Sequence, residues 1–366
     1  MKIVYHSFGG RYSDNPRAVY EALLARGDDV EHVWVSSEGH AHGFPDGVAT
    51  VTYGAPECIA ALESADLVVS NSHLEMDWDK PAGTTYLQTW HGTPLKTVHH
   101  DVMYAPPGKL ESLDEDVARW DALLSPNAAS TANLRHAFRW AGAVHETGYP
   151  RNDVLSAPDR DERRARVRQA LGIRDGVTAV LYTPTWRDND LFGEGPDFDL
   201  HLDLDRFHER FGDDAVLMLR LHYMVSDALG SVDKAGVLDL SFYPDIADLY
   251  LAADVMVTDY SSTQFDFANL GRPIVYFAYD LDLYRDDVRG MYFDYRQLCP
   301  GPIVTTSDEV LDELADLDGL RRRTAQPLAE FAETFCSLDD GHATERVLDL
   351  ILPVVEGGDE LPRRSA

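Results

Sequence analysis

One stretch of the chain joins an apolar run to a cluster of hydroxyl residues and then to a helical pattern. Residues 255–257 predict a buried parallel strand, residues 259–262 a turn, and residues 263–270 a helix that ends before a Gly-Arg-Pro break. Such a turn directs backbone N–H groups and small hydroxyls beyond the carboxyl end of a sheet, where nucleotide phosphates commonly bind. We interpret it as a diphosphate-binding turn; the alternative is a serine that only caps the helix.

Strand and helix patterns alternate twice along the 366 residues, which predicts an α/β protein with parallel sheets. The first series has strand-like runs near 2–5, 31–35, 49–53, 66–70 and 86–90, and helical patterns near 17–26 and 56–65. The second has runs near 177–182, 215–221, 237–240, 255–257 and 273–277, and helical patterns near 202–211, 245–253 and 262–270. A chain of this length usually forms two domains, so we expect two open α/β domains facing each other across a cleft.

The boundary between the two series is predicted at residues 147–154, which are rich in turn formers and form the expected hinge. Residues 1–150 then form the N-terminal domain and residues 151–355 the C-terminal domain, with helical patterns near 328–335 and 343–352 closing it. Residues 356–366 are polar and are expected to be a disordered tail.

Composition excludes several classes of function. The formal net charge of −31, from 63 acidic and 32 basic residues, argues against binding to nucleic acid and against a large basic membrane surface. Neither a membrane span nor a signal peptide is expected, because the apolar runs are short and residues 1–5 enter a strand pattern directly. The three scattered cysteines argue against disulfides and structural zinc, so a cytosolic protein is the simplest interpretation.

A histidine stands at the end of one predicted strand of the first series. The run 89–96 contains His91, Gly92 and Lys96. The glycine lets a substrate approach the backbone, and an imidazole is well suited to take a proton from a hydroxyl near neutral pH. The alternative for a lone histidine is a packed or surface imidazole. We favour the catalytic interpretation because the second series contains a counterpart.

That counterpart is Arg220 with His222, which share one side of a strand end by the period of two. Thr185 and Arg187 follow the end of another strand in the same series. Cations and an imidazole presented together suit the charge that develops on a phosphate group. The alternative for each arginine alone is a surface ion pair. Their convergence on one sheet edge favours a binding site.

Metal sites are weakly indicated. The acidic pairs 197/199, 203/205 and 280/282 are expected by chance in a chain this rich in aspartate, so we predict no essential metal. His99 and His100 are a candidate metal pair, although we favour a polar helix face for them. The sequence contains no GxGxxG, Walker A, HExxH or GxSxG motif, which removes the commonest dinucleotide, P-loop, zincin and serine-hydrolase interpretations.

Taken together, these motifs resemble the CDP-glycerol glycerophosphotransferases of teichoic acid and capsule biosynthesis. The resemblance extends from about residue 5 to residue 350, in the order that the family shows. The matching runs are 12–16, 88–96, 148–153, 182–187, 220–222, 245–250, 258–262, 289–294 and 340–346. One departure is that residues 97–101 lack the glycine often found between the lysine and the aspartate of the family's first motif.

The resemblance implies a GT-B arrangement of two Rossmann-like domains, with the acceptor on the N-terminal side and the nucleotide donor bound by the C-terminal domain. It implies transfer of glycerol phosphate from CDP-glycerol to a hydroxyl group, with release of CMP; we predict no cofactor for this reaction. His91 is expected to be the general base, and His222 to bind or activate the donor diphosphate. The other expected substrate-binding residues are Gly92, Thr93, Lys96, Arg151, Thr185, Arg187, Arg220, Asp259, Ser261, Ser262 and Arg289.

Several alternatives stay open. The donor is CDP-glycerol or another CDP-polyol such as CDP-ribitol; a GT-B glycosyltransferase that uses a nucleotide sugar, or a silent binding subunit, are the other possibilities. The acceptor implied by the resemblance is a lipid-linked saccharide or a growing polyol-phosphate polymer at the cytoplasmic face of the membrane. The most basic helical stretch is 161–168, which contains four arginines. It either contacts the membrane surface or forms a solvated helix face. Asp259 either holds the turn or contacts the ribose.

Overall fold

Seven parallel strands form the first sheet, in the order β3-β2-β1-β4-β5-β6-β7. The computed structural model describes residues 1–185, 200–221, 232 and 234–356. The strands are β1 Lys2–His6, β2 Glu31–Ser36, β3 Thr50–Thr52, β4 Leu67–Ser70, β5 Thr85–Gln88, β6 Ala122–Ser125 and β7 Ala143–Glu146. The central strands are buried on both faces, which explains why they are apolar almost throughout.

Helices cover both faces of this sheet. The α-helices that follow its strands are Asp14–Arg26, Pro56–Glu63, Lys109–Val117 and Ala128–Ala137, and the short 3-10 turns are Glu38–Gly43, His99–Asp101 and Pro150–Asn152. The first two helices match the predicted patterns. Strands β6 and β7 and the last two helices were not predicted, because each of these elements is short and its sequence pattern is weak.

Six parallel strands form the second sheet, in the order β10-β9-β8-β11-β12-β13. They are β8 Thr178–Thr183, β9 Ala215–Leu219, β10 Val237–Asp239, β11 Val255–Thr258, β12 Ile274–Phe277 and β13 Ile303–Val304. Its helices are Asp153–Ser156, Arg160–Ala170, Leu204–Phe211, Ile246–Ala252, Thr263–Ala268, Leu281–Leu283, Tyr295–Leu298, Ser307–Ala315 and Leu317–Phe335, with a π-helical turn at Tyr284–Val288 and a 3-10 turn at Gly212–Asp214. The predicted α/β architecture with two parallel sheets is confirmed.

The last described helix, Ala343–Val355, returns to the first sheet. Val347 and Ile351 are fully buried in the apolar cluster that contains Ile3 and Leu67 of strands β1 and β4. The N-terminus of this helix is held by Asp153, whose carboxylate accepts hydrogen bonds from the first two backbone N–H groups. The chain therefore crosses between the two sheets a second time near residues 336–343.

The strand order reverses at one point in each sheet, between β1 and β4 in the first and between β8 and β11 in the second. Connections leave in opposite directions on the two sides of such a point, so a crevice opens beyond the carboxyl ends of the two strands. Ligands of open α/β sheets commonly bind in this crevice. The two reversal points are therefore the expected ligand sites of this fold.

The segment predicted as a hinge is packed tightly between the two halves. Gly148 has φ 73°, and a Cβ atom at this position would lie 2.3 Å from the carbonyl oxygen of Leu338. Tyr149 is buried, and its backbone N–H donates to the Asp339 carboxylate at 2.9 Å. The glycine is needed here both for its left-handed backbone and for the close approach of another chain segment.

Candidate active site

His91 lies at the strand-reversal point of the first sheet. Its Nδ1 atom makes a 2.5 Å hydrogen bond with the carbonyl oxygen of Asn71, which directly follows β4. Because a carbonyl oxygen only accepts, Nδ1 carries the proton, and the lone pair of the neutral ring is on Nε2. This is the tautomer that a general base requires, with the basic nitrogen turned away from the atom that holds the ring.

Packing keeps the imidazole of His91 neutral. The ring stacks on Trp90, with 4.2 Å between centroids, and meets the edge of Phe8 at 5.0 Å. Burial lowers the pKa of His91 to about 4, because a desolvated imidazolium is disfavoured; the Asn71 carbonyl opposes this shift. At neutral pH the side chain is therefore in the proton-accepting state.

Three non-glycine residues beside His91 have left-handed backbone conformations. Phe8 has φ 43°, Asp14 has φ 63° and Trp90 has φ 53°. Such conformations cost about 1–3 kcal/mol each and are concentrated at functional sites. At Trp90 the conformation is held by two hydrogen bonds, one from its N–H to Gln88 and one from Asn15 to its carbonyl. The chain is thereby turned sharply where His91 follows.

The predicted phosphate-binding turn lies at the reversal point of the second sheet. The Thr183 and Thr258 hydroxyls, at the ends of β8 and β11, are 2.9 Å apart, and Thr263 is 3.1 Å from Thr183. Asp259 is buried and accepts a 2.8 Å hydrogen bond from the Thr185 backbone N–H. This contact supports the first of the two interpretations of Asp259, in which its carboxylate holds the turn.

Ser262 does not cap the helix in the usual way, although it occupies the position before Thr263–Ala268. Its side chain makes no capping hydrogen bond; instead the hydroxyl of Ser261 accepts from the backbone N–H of Thr263 at 3.3 Å. The Ser262 side chain points towards Gly92 of the other domain. The alternative of an ordinary serine cap therefore does not describe this residue.

Gly92 brings the two strand-end sites together. A Cβ atom at Gly92 would lie 2.9 Å from the Oγ atom of Ser262 and 3.2 Å from its Cβ atom. The Gly92 backbone N–H donates to the hydroxyl of the buried Tyr149 at 3.2 Å. The φ of Gly92 is not positive, so the backbone conformation does not call for glycine. The close approach to Ser262 does. The residue after His91 thus contacts the turn after β11.

A second contact joins the domains beside the first. Lys96 pairs with Met291 in an isolated antiparallel bridge, and the backbone N–H of Thr97 donates to the carbonyl of Gly290 at 3.1 Å. Arg289 returns a hydrogen bond from Nε to the carbonyl of Thr97 at 3.3 Å. Lys96 and Arg289, each predicted to bind substrate, therefore lie at the same domain contact, on opposite sides of the cleft.

Arg151 joins the two domains by ion pairs. Its guanidinium contacts the Asp14 carboxylate at 2.6 Å and the Asp266 carboxylate at 3.0 Å, and it also donates to the His91 carbonyl at 2.6 Å. Only 12% of the side chain is exposed. Asn152 extends the network, because its amide donates to Asp266 at 2.9 Å and to Asp339 at 2.7 Å. This geometry favours a positioning role for Arg151 over a direct substrate contact.

Arg220 and Thr93 also have partners within the protein. The Nη1 atom of Arg220 donates to the carbonyls of three residues that follow β10, each at 2.7 Å, and burial lowers the pKa of Arg220 to about 10. Thr93 is buried, and its hydroxyl accepts a hydrogen bond from the Asn127 side-chain amide at 3.4 Å.

Arg187 and His222, two further predicted site residues, lie outside the described residues.

Sequence reasoning missed the groups that position His91. Asn71 holds the ring, and Asp14 and Asp266 hold the arginine that binds the His91 carbonyl. Asn71 had a detectable signal, since it begins a polar run directly after the apolar strand 66–70. Asp14 lies in the matching run 12–16, but nothing in the sequence indicated that it and Asp266 pair with Arg151, because each meets Arg151 across more than a hundred residues of chain.

The basic helix considered for membrane contact is mostly engaged internally. Arg163 pairs with Asp248 at 2.6 Å, Arg164 with Asp254 at 2.7 Å and Arg168 with Asp254 at 3.2 Å. Arg166 remains 61% exposed. Three of the four arginines are therefore committed to the protein rather than to a solvated face. Among the described helices, none has the length and apolar character needed to cross a bilayer.

His99 does not lie on a polar helix face as predicted. The residue is 6% exposed and packs among aromatic rings, including His73 and Phe138, at the start of the turn His99–Asp101. The helical interpretation assumed that two adjacent histidines before an aspartate face water. Here a left-handed backbone at His99, with φ 51°, turns one of them inwards.

Comparisons with known proteins agree with this geometry. The family model of CDP-glycerol:poly(glycerophosphate) glycerophosphotransferases matches residues 1–353. The chain is 38% identical over 361 residues to the teichoic acid glycerol-phosphate transferase of Staphylococcus aureus, covering 95% of this chain and 92% of that protein. It is 34% identical over 359 residues to the teichoic acid poly(glycerol phosphate) polymerase of Bacillus subtilis, covering 95% of this chain. The chain spans about half the length of that polymerase, 48%.

The fold matches a solved member of the same group. The wall teichoic acid polymerase TagF is similar with a TM-score of 0.88 and 35% identity, covering 97% of this chain and 89% of that chain. A TagF variant soaked with CDPG matches with a TM-score of 0.87 at the same identity and coverage. The fold is GT-B-like, with two Rossmann-like domains whose parallel sheets face each other. The chain belongs to the CDP-glycerol:poly(glycerophosphate) glycerophosphotransferase family.

Proposed function

We propose that this protein transfers glycerol phosphate from CDP-glycerol to a hydroxyl group of an acceptor and releases CMP. The family match and the likeness to a polymerase soaked with CDPG support this donor. The observation that carries the proposal is the contact between Gly92 and Ser262, which places the residue after a neutral histidine against the predicted phosphate-binding turn. An acceptor bound in the first domain and a donor bound in the second meet at this contact.

In the proposed reaction, Nε2 of His91 takes the proton of the acceptor hydroxyl as its oxygen attacks the glycerol-bearing phosphorus. The bond from phosphorus to the bridging oxygen breaks, and CMP leaves with that electron pair. Such a transfer requires positioning and charge stabilisation more than covalent participation by the protein. A histidine base contributes about 100- to 10,000-fold to the rate.

Charge on the departing CMP requires positive groups at the cleft. The turn at residues 258–263 offers backbone N–H groups and hydroxyls, and Arg289 and Lys96 add cations at the neighbouring domain contact. We assign donor binding to Thr185, Ser261 and Ser262 as well, with Asp259 shaping the turn. Arg187, Arg220 and His222 complete the proposed donor site, which uses no metal or cofactor.

The acceptor is proposed to be a lipid-linked saccharide or a growing polyol-phosphate polymer. The two relatives described above, each matching over 95% of this chain, are named for teichoic acid glycerol phosphate transfer or polymerisation, which supports such an acceptor here. We place the protein in the cytoplasm, in peripheral contact with the inner face of the membrane. Co-sedimentation with anionic liposomes is the test; absence of enrichment over neutral liposomes would reject the membrane contact.

The proposed reaction is tested by CMP release. Wild-type protein, His91→Ala and the exposed-site control His42→Ala are incubated with CDP-glycerol, CDP-ribitol or nucleotide sugars, with and without a lipid-linked saccharide acceptor. The proposal expects acceptor-dependent CMP from CDP-glycerol in wild type and control, and its loss in His91→Ala. If only CDP-ribitol is turned over, the donor carries ribitol rather than glycerol. If only a nucleotide sugar is turned over, the protein is a glycosyltransferase and the proposed phosphotransfer is wrong.

A further inference from the structure

Two histidines and one aspartate converge behind the proposed active site. His99 and His100 lie in the turn His99–Asp101, and Asp114 lies on the helix Lys109–Val117. The Asp114 Oδ1 atom is 2.8 Å from Nε2 of His100 and 3.7 Å from Nε2 of His99. One ligand atom from each of the three residues lies within 4.8 Å of the others, which makes them the one such group of three in the described part of the chain.

His99 gives an independent reason to expect a ligand. Its side chain is 1% exposed, and within the described residues neither ring nitrogen makes a hydrogen bond of acceptable geometry, although the Ala137 backbone lies nearby. A buried polar group without a partner costs free energy, so native proteins rarely retain one without a use. A bound cation would satisfy one of the two nitrogens.

We propose that His99, His100 and Asp114 bind one Zn²⁺ ion. Two imidazole nitrogens and a carboxylate oxygen form a ligand set that zinc accepts, whereas Ca²⁺ and Mg²⁺ prefer oxygen ligands throughout. Asp114 is 44% exposed, so the ion has a path of entry and a position open to water. The sequence-based argument against structural zinc considered cysteine ligands, and none of these three residues is a cysteine.

The ion would fix a segment that joins the domains. Residues between Lys96 and Asp101 contact the second domain: Thr97 bonds to Gly290, and Asp101 accepts a 2.7 Å hydrogen bond from the Tyr292 hydroxyl. Aromatic rings also connect the site to the proposed base. The ring centroid of His73 lies 5.4 Å from that of His99 and 6.0 Å from that of Trp90, and the His91 ring stacks on Trp90. We assign the ion a positioning role, separate from phosphoryl transfer.

The test is zinc binding by the full chain, measured without substrates and therefore independent of the proposed reaction. Protein freed of metal with a chelator is titrated with Zn²⁺ in competition with a chromophoric chelator. We expect one ion per chain, with affinity at least about 100-fold weaker in His100→Ala and Asp114→Asn. The side chain of His100 is 10% exposed and that of Asp114 is 44% exposed, and circular dichroism checks that both variants fold. Zinc should raise the melting temperature of wild type but not of the variants.

His136→Ala is the matched control. This exposed histidine lies beside the site, paired with Asp101 at 2.6 Å, and is not one of the three ligands. The control should keep wild-type affinity. The proposal is overturned if the wild type binds zinc no more tightly than His100→Ala and Asp114→Asn, or if His136→Ala weakens binding as much as they do. In the first case His100 and Asp114 form only an ion pair.

Discussion

The two strand-reversal points have the same topology but different functional groups. At the first, the imidazole of His91 is held by a backbone carbonyl and by aromatic rings, beside three left-handed residues. At the second, the hydroxyls of Thr183, Thr258, Ser261 and Thr263 form a local network, and the buried Asp259 accepts from the Thr185 backbone N–H. The first suits the handling of a proton, and the second suits the binding of an anion.

This difference teaches that the fold supplies two equivalent crevices and the side chains divide the work between them. Burial lowers the pKa of His91 and keeps its ring neutral, as the proposed proton acceptor must be. An anion site works best when its donors are fixed before the charge arrives. Arg151 belongs to neither chemistry; it ties both halves together through Asp14 and Asp266. Five experiments can break or sharpen this division.

The largest effect is expected from His91→Ala. Removing the base should lower kcat for acceptor-dependent CMP release by about 100- to 10,000-fold, because Nε2 of His91 is the proposed acceptor of the hydroxyl proton. The exposed-histidine variant His42→Ala should retain wild-type kcat. A loss smaller than tenfold in His91→Ala would show that the first crevice does not provide the general base.

The next largest effect is expected from Arg151→Ala, on stability. Truncation leaves Asp14 and Asp266 buried without their cation, which typically costs about 3–5 kcal/mol of unfolding free energy. Urea denaturation followed by tryptophan fluorescence measures the change. Arg166→Ala, an exposed arginine of the neighbouring basic helix, should change the unfolding free energy by less than about 0.5 kcal/mol. Wild-type stability with a strongly raised KM for CDP-glycerol would instead make Arg151 a substrate-binding residue.

Gly92→Ala tests the contact between the two crevices. The added methyl would lie 2.9 Å from the Ser262 Oγ atom and 3.2 Å from its Cβ atom, so the Ser262 side chain must move out of its place in the turn. Because a misplacement of about 1 Å can cost about 100-fold in rate, this smaller shift should lower kcat by less than that. Ser262→Gly in the same chain should recover part of that loss by removing the overlapping atoms. Gly39→Ala is the control, since a Cβ atom there meets nothing within 4 Å. Equal activity of Gly92→Ala and Gly39→Ala would show that the contact is not needed.

A smaller effect is expected from Asp259→Asn. An asparagine oxygen can still accept the Thr185 N–H, so KM for CDP-glycerol should rise less than about tenfold, whereas Asp259→Ala removes the acceptor and should raise KM further. Initial rates over a range of donor concentrations measure both. A similar large rise in both variants would favour the ribose contact over the turn-holding role.

The smallest effect is expected from mild acid. Because the pKa of His91 is lowered to about 4 from the ordinary value near 6.5, kcat/KM should stay flat from pH 8 to about pH 5. The unfolded imidazole binds protons more readily than the folded one, so this group lowers the unfolding free energy as pH falls from about 6.5 to about 4. Circular dichroism at each pH separates unfolding from titration. An acidic limb near pH 6.5 in folded protein would mean that the ring of His91 is not desolvated.

The sequence predicted the parts of the fold that local pattern controls. The runs that became β8, β9, β11 and β12 were identified because parallel strands buried on both faces are apolar throughout. The turn at residues 259–262 was identified because hydroxyl residues follow such a run. By contrast, the return of the helix Ala343–Val355 to the first sheet depends on contacts more than 270 residues apart in sequence, which no local pattern records.

The sequence indicated candidate residues for the site but not how they are arranged in space. His91 and the serines of the turn were found from strand-end position and resemblance, but their meeting through Gly92 depends on how two domains pack. Arg151 shows the limit most clearly, because a matching motif indicated a substrate contact and the structure places its guanidinium between two buried carboxylates. His99 was misassigned because one left-handed residue reversed the direction of its side chain.

The division of labour between the two crevices is tested most directly by calorimetric binding of CDP-glycerol to wild type, His91→Ala and the double variant Ser261→Ala/Ser262→Ala, beside their turnover. We predict that His91→Ala binds the donor with wild-type affinity but has lost turnover. The double serine variant should lose affinity at least about tenfold, as expected for removed hydrogen bonds to a charged group. Loss of donor affinity in His91→Ala, with wild-type affinity in the serine variant, would contradict the account.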